Sequence, residues 1–501
     1  MGSWWERGVR AYALAPVRGV ALTAGGVGLA LAVGSVAAAG PWQGGRRVAE
    51  TERVKSQVSA AVTTVVPRPV PSPSWLPAPD VLQPAGSVAP APAGDAAATA
   101  PAPQAPVPTG QGLAAALAGA MDAPALGKVT ASVLDAATGR TLYASGAATP
   151  QTPASTNKIA TSVAALSLLG PQHRFSTTVV SPAPGRIVLV GGGDPTLTAA
   201  AVHGADPQAS LATLADRTAA ALKATGVLTV GLGYDISLFS APALHPIGVN
   251  DNIALVQALT ADEGRINPNS TENAPRYGDP AATAAADFAA LLSARGITVK
   301  GSPAPSPHTA PGAKPLAQVS SQPLGEIVER MLTESDNDIA EALGHQVALA
   351  SGSPATFAGG AAAVRKQLTT LGVPLGGTRL VDASGLSESD VIPAEVLTRL
   401  LLLAASPAHP ELRPVLSGLP VAGFTGTLDN RYDSDGSNAG LGVVRAKTGS
   451  LETVNTLAGL VVDRDGRLLV FAFMSNGSGD AASARSALDR LAGRVAGCGC
   501  R

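Results

Sequence analysis

The stretch Pro153-Ala-Ser-Thr-Asn-Lys158 decides how the rest of the chain is read. It sets a serine three residues before a lysine, at the start of an apolar-periodic run (156–169) that reads as a helix. One helical turn then brings the Lys158 amine beside the Ser155 hydroxyl. A lysine stripped of water sheds its proton and can take that of the hydroxyl, which makes Ser155 a candidate nucleophile and Lys158 its base. The field at a helix N-terminus favours negative charge at the same point. No other lysine in the chain has a serine three residues before it. The competing reading is a serine that only caps a helix, with an unrelated lysine exposed nearby.

Two further motifs follow in order. Ser335-Asp336-Asn337 lies between predicted helices at 324–331 and 339–350. Its serine can relay a proton to a leaving group and its asparagine amide can bind a substrate carbonyl, although such a triplet also serves as an N-cap turn. Lys447-Thr448-Gly449 is placed within a strand. There the lysine adds positive charge, the threonine can grip a terminal carboxylate, and the glycine lets an extended substrate backbone come close. A hairpin turn is the competing reading. Each motif alone is weak, but their order and local context together are specific.

The bulk numbers exclude several function classes. With 35 basic and 36 acidic residues the formal net charge is -1, so nothing points to nucleic acid. No His or Cys cluster has metal-ligand spacing. The only cysteines, Cys498 and Cys500, sit in the last four residues. A ring that small would be strained, so the tail is read as a loose end or a site of intermolecular pairing. A cysteine-free body suits an exported protein.

The chain divides by composition. Residues 19–45 carry no charged side chain and Arg7, Arg10 and Arg18 precede them, which reads as a membrane anchor with a cytoplasmic N-terminus. A cleaved signal peptide ending at Ala37-Ala38-Ala39 is the alternative. Residues 46–112 form a linker whose later part is rich in Pro and Ala, an extended stalk that packs no core. Within the globular part, strands are predicted at 128–135, 140–143, 186–190, 441–446, 456–462 and 468–474, and a closing helix at 481–495.

With these motifs the chain resembles the low-molecular-mass class C penicillin-binding proteins, the D-alanyl-D-alanine carboxypeptidase/endopeptidase family S13. Other family-like stretches are Gly191-Gly-Gly-Asp-Pro-Thr-Leu197, Glu334-Ser-Asp-Asn337, Asp382-Ala-Ser-Gly-Leu-Ser387, Leu419-Pro-Val-Ala-Gly423 and Ala446-Lys-Thr-Gly-Ser450. The resemblance implies an α/β (α+β) architecture: a β-lactamase/transpeptidase-like domain with an antiparallel sheet flanked by helices. Additional domains are inserted between Ser-x-x-Lys and Ser-x-Asn, in keeping with the long gap from Lys158 to Ser335. The boundaries expected are 1–45 for the anchor or signal, 113–175 and 316–497 for the two parts of the transpeptidase-like domain, 176–315 for the insertion and 498–501 for the tail.

The resemblance also implies roles. Ser155, Lys158 and Ser335 are expected to be catalytic, and Asn337, Lys447, Thr448, Gly449 and Ser450 to bind substrate, with the backbone N–H groups of Ser155 and Ser450 as oxyanion hole. Asp235 is a candidate for recognising the free end of a diaminopimelate side chain, against an ordinary turn aspartate. Glu388 stands where a basic residue is expected after Ser-Gly-Leu-Ser, which makes the choice between diaminopimelate and lysine peptides open. Peptidoglycan stem peptides are the implied substrates, β-lactam antibiotics the implied inhibitors, and no cofactor or metal is implied. A serine β-lactamase or esterase and a catalytically idle wall-binding module are the alternatives. Glu263-Gly-Arg-Ile-Asn267 resembles a β-lactamase deacylation motif but precedes Ser335, so it is read as coincidence. His245, His308 and His345 are read as packing or surface residues.

Overall fold

The structure is a computed structural model that describes residues 105–202, 207–270, 273–306, 315–434 and 436–501. Helix α1 (Gly110–Met121) begins inside the stretch expected to be linker, with the Thr109 hydroxyl accepting from Gly112 N at 3.1 Å. Strands β1 (Lys128–Asp135) and β2 (Thr141–Ser145) form the expected hairpin, and β3 (Pro150–Gln151) follows. A 3-10 turn, Ala154–Asn157, then leads into α2 (Lys158–Leu169). The helix predicted over 156–169 is therefore present, but its first two residues belong to a more tightly wound turn that begins at Ala154.

The next segment builds a second sheet from β4 (Ser176–Ala183), β5 (Arg186–Val190), α3 (Leu211–Ala224), β6 (Thr229–Asp235), α4 (Pro280–Ala294), β7 (Thr298–Pro305) and β8 (Pro315–Ser320). Its order is β7-β6-β5-β4-β8. β4 pairs antiparallel with β5 and β8, while β5–β6 and β6–β7 are parallel, joined by α3 and α4 as crossovers. Ser210 and Asp279 cap the two helices, and Leu214, Leu222, Phe288 and Leu292 bury their inner faces against Ile187, Leu189 and Val230. β8 straddles the boundary expected between 315 and 316, and it pairs with β4.

The chain continues through α5 (Leu324–Glu334), α6 (Asn337–Ala350), α7 (Phe357–Thr370), β9 (Ile392–Pro393), α8 (Ala394–Ala405), α9 (Arg413–Ser417), β10 (Val444–Ser450), β11 (Val454–Val462), β12 (Leu468–Asn476) and α10 (Ala481–Ala496). β10 starts later than predicted because Gly442, at φ 73, turns the chain just before it. The first sheet is antiparallel throughout, in the order β10-β11-β12-β1-β2. Both of its faces are covered. On β12, Leu469, Phe471 and Phe473 point to the core shared with α1 and α10, while Val470, Ala472 and Met474 point to the core shared with α2, α5, α6, α7 and α8. Double coverage is why this strand reads as an unbroken apolar run rather than an alternating one.

Helix α2 is the centre of the second of those cores. Every residue from Lys158 to Leu166 is buried, including the lysine. The tail is not loose: Cys498 is buried and joined to Cys500, and Thr109 N donates to Cys500 O at 2.7 Å. The proposed anchor at 19–45 and most of the linker lie outside the described residues; among the described residues no helix is long and apolar enough to cross a membrane.

Candidate active site

The three motifs converge because α2, the α5–α6 junction and β10 meet on one cleft of about 1630 Å³, lined by Ser155, Ser335, Asn337, Thr448 and Ser450 among others. Ser155 sits in the 3-10 turn, part-exposed, one residue after Ala154, whose φ of 48 marks the sharp bend that presents the hydroxyl. Close behind the turn lies Gly385, at φ 81, where a Cβ would stand 1.9 Å from Ala154 O. Only glycine lets the Ser384-Gly385-Leu386 loop approach the nucleophile this closely.

Lys158 is buried, and its Nζ has three neighbours: Ser155 Oγ at 3.0 Å, Asn337 Oδ1 at 2.7 Å and Ser384 O at 2.9 Å. A neutral amine has two N–H bonds and one lone pair. The amide and backbone oxygens accept the two N–H bonds, which leaves the lone pair for the Ser155 hydroxyl to donate to. Burial lowers the pKa of Lys158 to about 8, against the opposing pull of Asp336, Asp382, Glu341 and Asp338.

The α5–α6 junction divides its three residues between structure and chemistry. Asp336 caps α6, accepting from Ile339 N at 2.9 Å, so the N-cap reading holds for this residue. Ser335, left-handed at φ 62, accepts a hydrogen bond from Lys447 Nζ at 2.8 Å. Asn337 takes the Lys158 amine on its oxygen and donates its Nδ2 to Asn252 O at 3.1 Å. Lys447 also donates to Thr448 O at 2.9 Å. Burial, and then the nearby Lys158, hold its amine well below the ordinary lysine range. Thr448 Oγ1 lies 2.7 Å from Thr427 Oγ1.

Gly449 permits a close approach within the chain itself. A Cβ there would meet Thr456 Oγ1 at 2.2 Å and Pro153 O at 2.6 Å, so the close approach it permits is that of the chain's own nucleophile turn against β10. Asp235 is buried at the end of β6, accepts from Ser237 N at 2.8 Å and is not among the residues lining the cleft. Glu388 and Ser450 do line it. Glu263 is buried between Arg265 and Arg330, engaged by both guanidiniums, and does not line the cleft that holds Ser155.

Sequence reasoning missed the segment between β6 and α4, which walls the cleft. Ala254 N donates to Asp338 Oδ1 at 2.8 Å, Arg276 pairs with Asp338 at 2.9 Å and Arg265 with Asp336 at 3.4 Å. It also missed Ser384 as a partner of Lys158. The Asp382-Ala-Ser-Gly-Leu-Ser387 stretch was the available signal, singled out as family-like but given no role.

A family model described as the D-Ala-D-Ala carboxypeptidase 3 (S13) family matches residues 113–280 and 270–495. The chain belongs to this family. It is 40% identical over 409 residues to the carboxypeptidase DacB of Mycolicibacterium smegmatis, covering 79% of this chain and 86% of that protein. To the carboxypeptidase Rv3627c of Mycobacterium tuberculosis it is 39% identical over 441 residues, covering 85% and 90%. The D-alanyl-D-alanine carboxypeptidase of Actinomadura sp. strain R39 is 31% identical, over 69% of this chain and 77% of that one. Among solved structures, penicillin binding protein 4 of Haemophilus influenzae superposes with a TM-score of 0.61 at 24% identity, covering 77% of this chain and 97% of that chain, a likeness of fold.

Proposed function

We infer that the chain is a serine-type D-Ala-D-Ala carboxypeptidase acting on peptidoglycan stem peptides and acylated by penicillins. The observation that carries the reading is the arrangement at Lys158, a buried amine whose two N–H acceptors leave its lone pair for Ser155. In the proposed reaction Ser155 Oγ bonds to the carbonyl carbon of the penultimate D-alanine while Lys158 takes the hydroxyl proton. The backbone N–H groups of Ser155 and Ser450 receive the developing oxyanion. The C–N bond then breaks, and the departing D-alanine amine takes a proton passed through Ser335, which Lys447 orients. Water cleaves the ester and restores the serine. Lys447 and Thr448 hold the terminal carboxylate, and Asn337 orients the acyl chain.

A cross-linked donor would pass through the same steps and give endopeptidase activity. The place of Glu263 between two arginines supports a peptidase over a β-lactamase, because it leaves that carboxylate no role in activating water at Ser155. Action outside the cytoplasm follows from the family's cell-wall substrates, and we read the charge-free stretch at 19–45 as the membrane tether. We likewise read residues 176–315 as an insertion between the two parts of the catalytic body. The test is release of D-alanine from a pentapeptide ending in D-Ala-D-Ala. The wild-type chain should release it and Ser155→Ala should not; equal release by both would remove Ser155 from the chemistry.

A further inference from the structure

His245 lies in the segment between β6 and α4, far in sequence from every motif, yet it reaches the support of the catalytic lysine. Its Nε2 stands 3.3 Å from Asp382 Oδ2 and 3.7 Å from Glu341 Oε1, and all three side chains are buried. The two carboxylates hold the loop after Asp382 by its N–H groups. Glu341 Oε1 accepts from Ala383 N at 3.0 Å and Ser384 N at 2.7 Å; Asp382 accepts from Gly385 N and Ser387 N, both at 2.7 Å. The loop's carbonyls face the other way, towards the nucleophile. Asp382 O accepts from Asn157 Nδ2 at 3.2 Å, Ala383 O from Thr161 Oγ1 at 2.6 Å and Ser384 O from Lys158 Nζ at 2.9 Å.

Four carboxylates bear on the charge of Lys158: Asp336, Asp382, Glu341 and Asp338. Asp336 is paired with Arg265 and Asp338 with Arg276. Glu341 and Asp382 have His245 for their cation. Two buried carboxylates without one would be costly, and their field would fall on the amine unopposed. We propose that His245 is a positioning residue for acylation, whose imidazolium anchors Asp382 and Glu341, fixes Ser384 O on Lys158 and offsets their field so that the amine stays a base.

Burial opposes charge on this ring, but the two carboxylates outweigh it and raise the His245 pKa to about 9. One contact works against the charged form: Nδ1 accepts from Ile247 N at 3.3 Å, a bond the imidazolium would give up. The other titratable neighbours are His345 on α6, whose pKa is lowered, by burial first, and Asp390, which burial and then Asp382 push up to about 9. Lys447 faces Lys158 from β10. The three side chains also have the look of a metal site. However, Glu341 Oε1 already accepts two backbone N–H groups, which leaves it poorly placed to serve as a ligand.

The inference rests on Lys158 serving as base to Ser155. Its test is the pH dependence of the second-order acylation rate of the full chain by benzylpenicillin, for wild type and His245→Gln. The expected result is an acid limb moved upward by about one pH unit, so that below the limb the variant reacts roughly tenfold more slowly, with a high-pH plateau within a few-fold of wild type. A loss of rate equal at all pH values would overturn the proposal and leave only packing. Should the variant not fold, the same point is read from wild type by NMR of labelled histidine: a His245 ring neutral at pH 7 would also overturn it. If wild type takes no penicillin on Ser155, with Ser155→Ala as control, the acyl-serine reading itself has failed. The charge of the ring is then still measured separately.

Discussion

At the scale of single residues, the chemistry depends on keeping a lysine neutral. With its pKa near 8, Lys158 is mostly protonated at pH 6 and mostly free above pH 9, so acylation should rise with pH through about 8 and then level off. Stopped-flow acylation across pH 6–10 checks the sign; a rate falling over that range would contradict it. Lys158→Ala removes the base and should slow acylation by roughly 10²–10⁴-fold with Ser155 still in place. The residues carrying this chemistry were legible in the sequence because Ser-x-x-Lys, Ser-x-Asn and Lys-Thr-Gly are local motifs. Their supports were not. Ser384, Glu341 and His245 meet only after distant segments fold together, and nothing near His245 in the chain marks its carboxylate partners.

At the scale of elements, close approaches set the site. Gly385→Ala would force a left-handed alanine and drive its Cβ into Ala154 O. It should cost at least about 1–3 kcal/mol in urea unfolding and slow acylation, since relief requires the Ser155 turn to move. An unchanged unfolding midpoint would contradict the packing described. Helix ends matter more modestly. Asp480 caps α10, accepting from Ser483 N at 2.7 Å, so Asp480→Ala should lower the urea unfolding midpoint. Long periodic elements such as α2 and β12 could be read in advance. The 3-10 turn that opens α2 could not, because the positive φ of Ala154 is imposed by Gly385 and Gly449 packing around it.

At the scale of the molecule, the segment between the second sheet and α4 closes one wall of the cleft through ion pairs to the α6 N-terminus. Arg276→Met would remove the cation that holds Asp338 ionised, so the pKa of its carboxyl, already raised to about 7 by burial and then Asp336, should rise further and the unfolding midpoint should fall, more at high pH than at low. The antiparallel sheet flanked by helices was legible through the family resemblance that the three motifs carry, and the strands predicted at 456–462 and 468–474 and the closing helix fell where the structure places them. The mixed second sheet was not: of its strands only the one at 186–190 was picked out, and the parallel pairing with β6 and β7 depends on crossovers that bring together segments far apart in the chain. All of this architecture serves one claim, that Ser155 is the residue acylated. The most direct measurement is intact mass spectrometry of the full chain after exposure to benzylpenicillin, with peptide mapping. A single adduct on the peptide holding Ser155, absent from Ser155→Ala, is the expected result; an adduct that persists in the variant, or none while the drug stays intact, would contradict it.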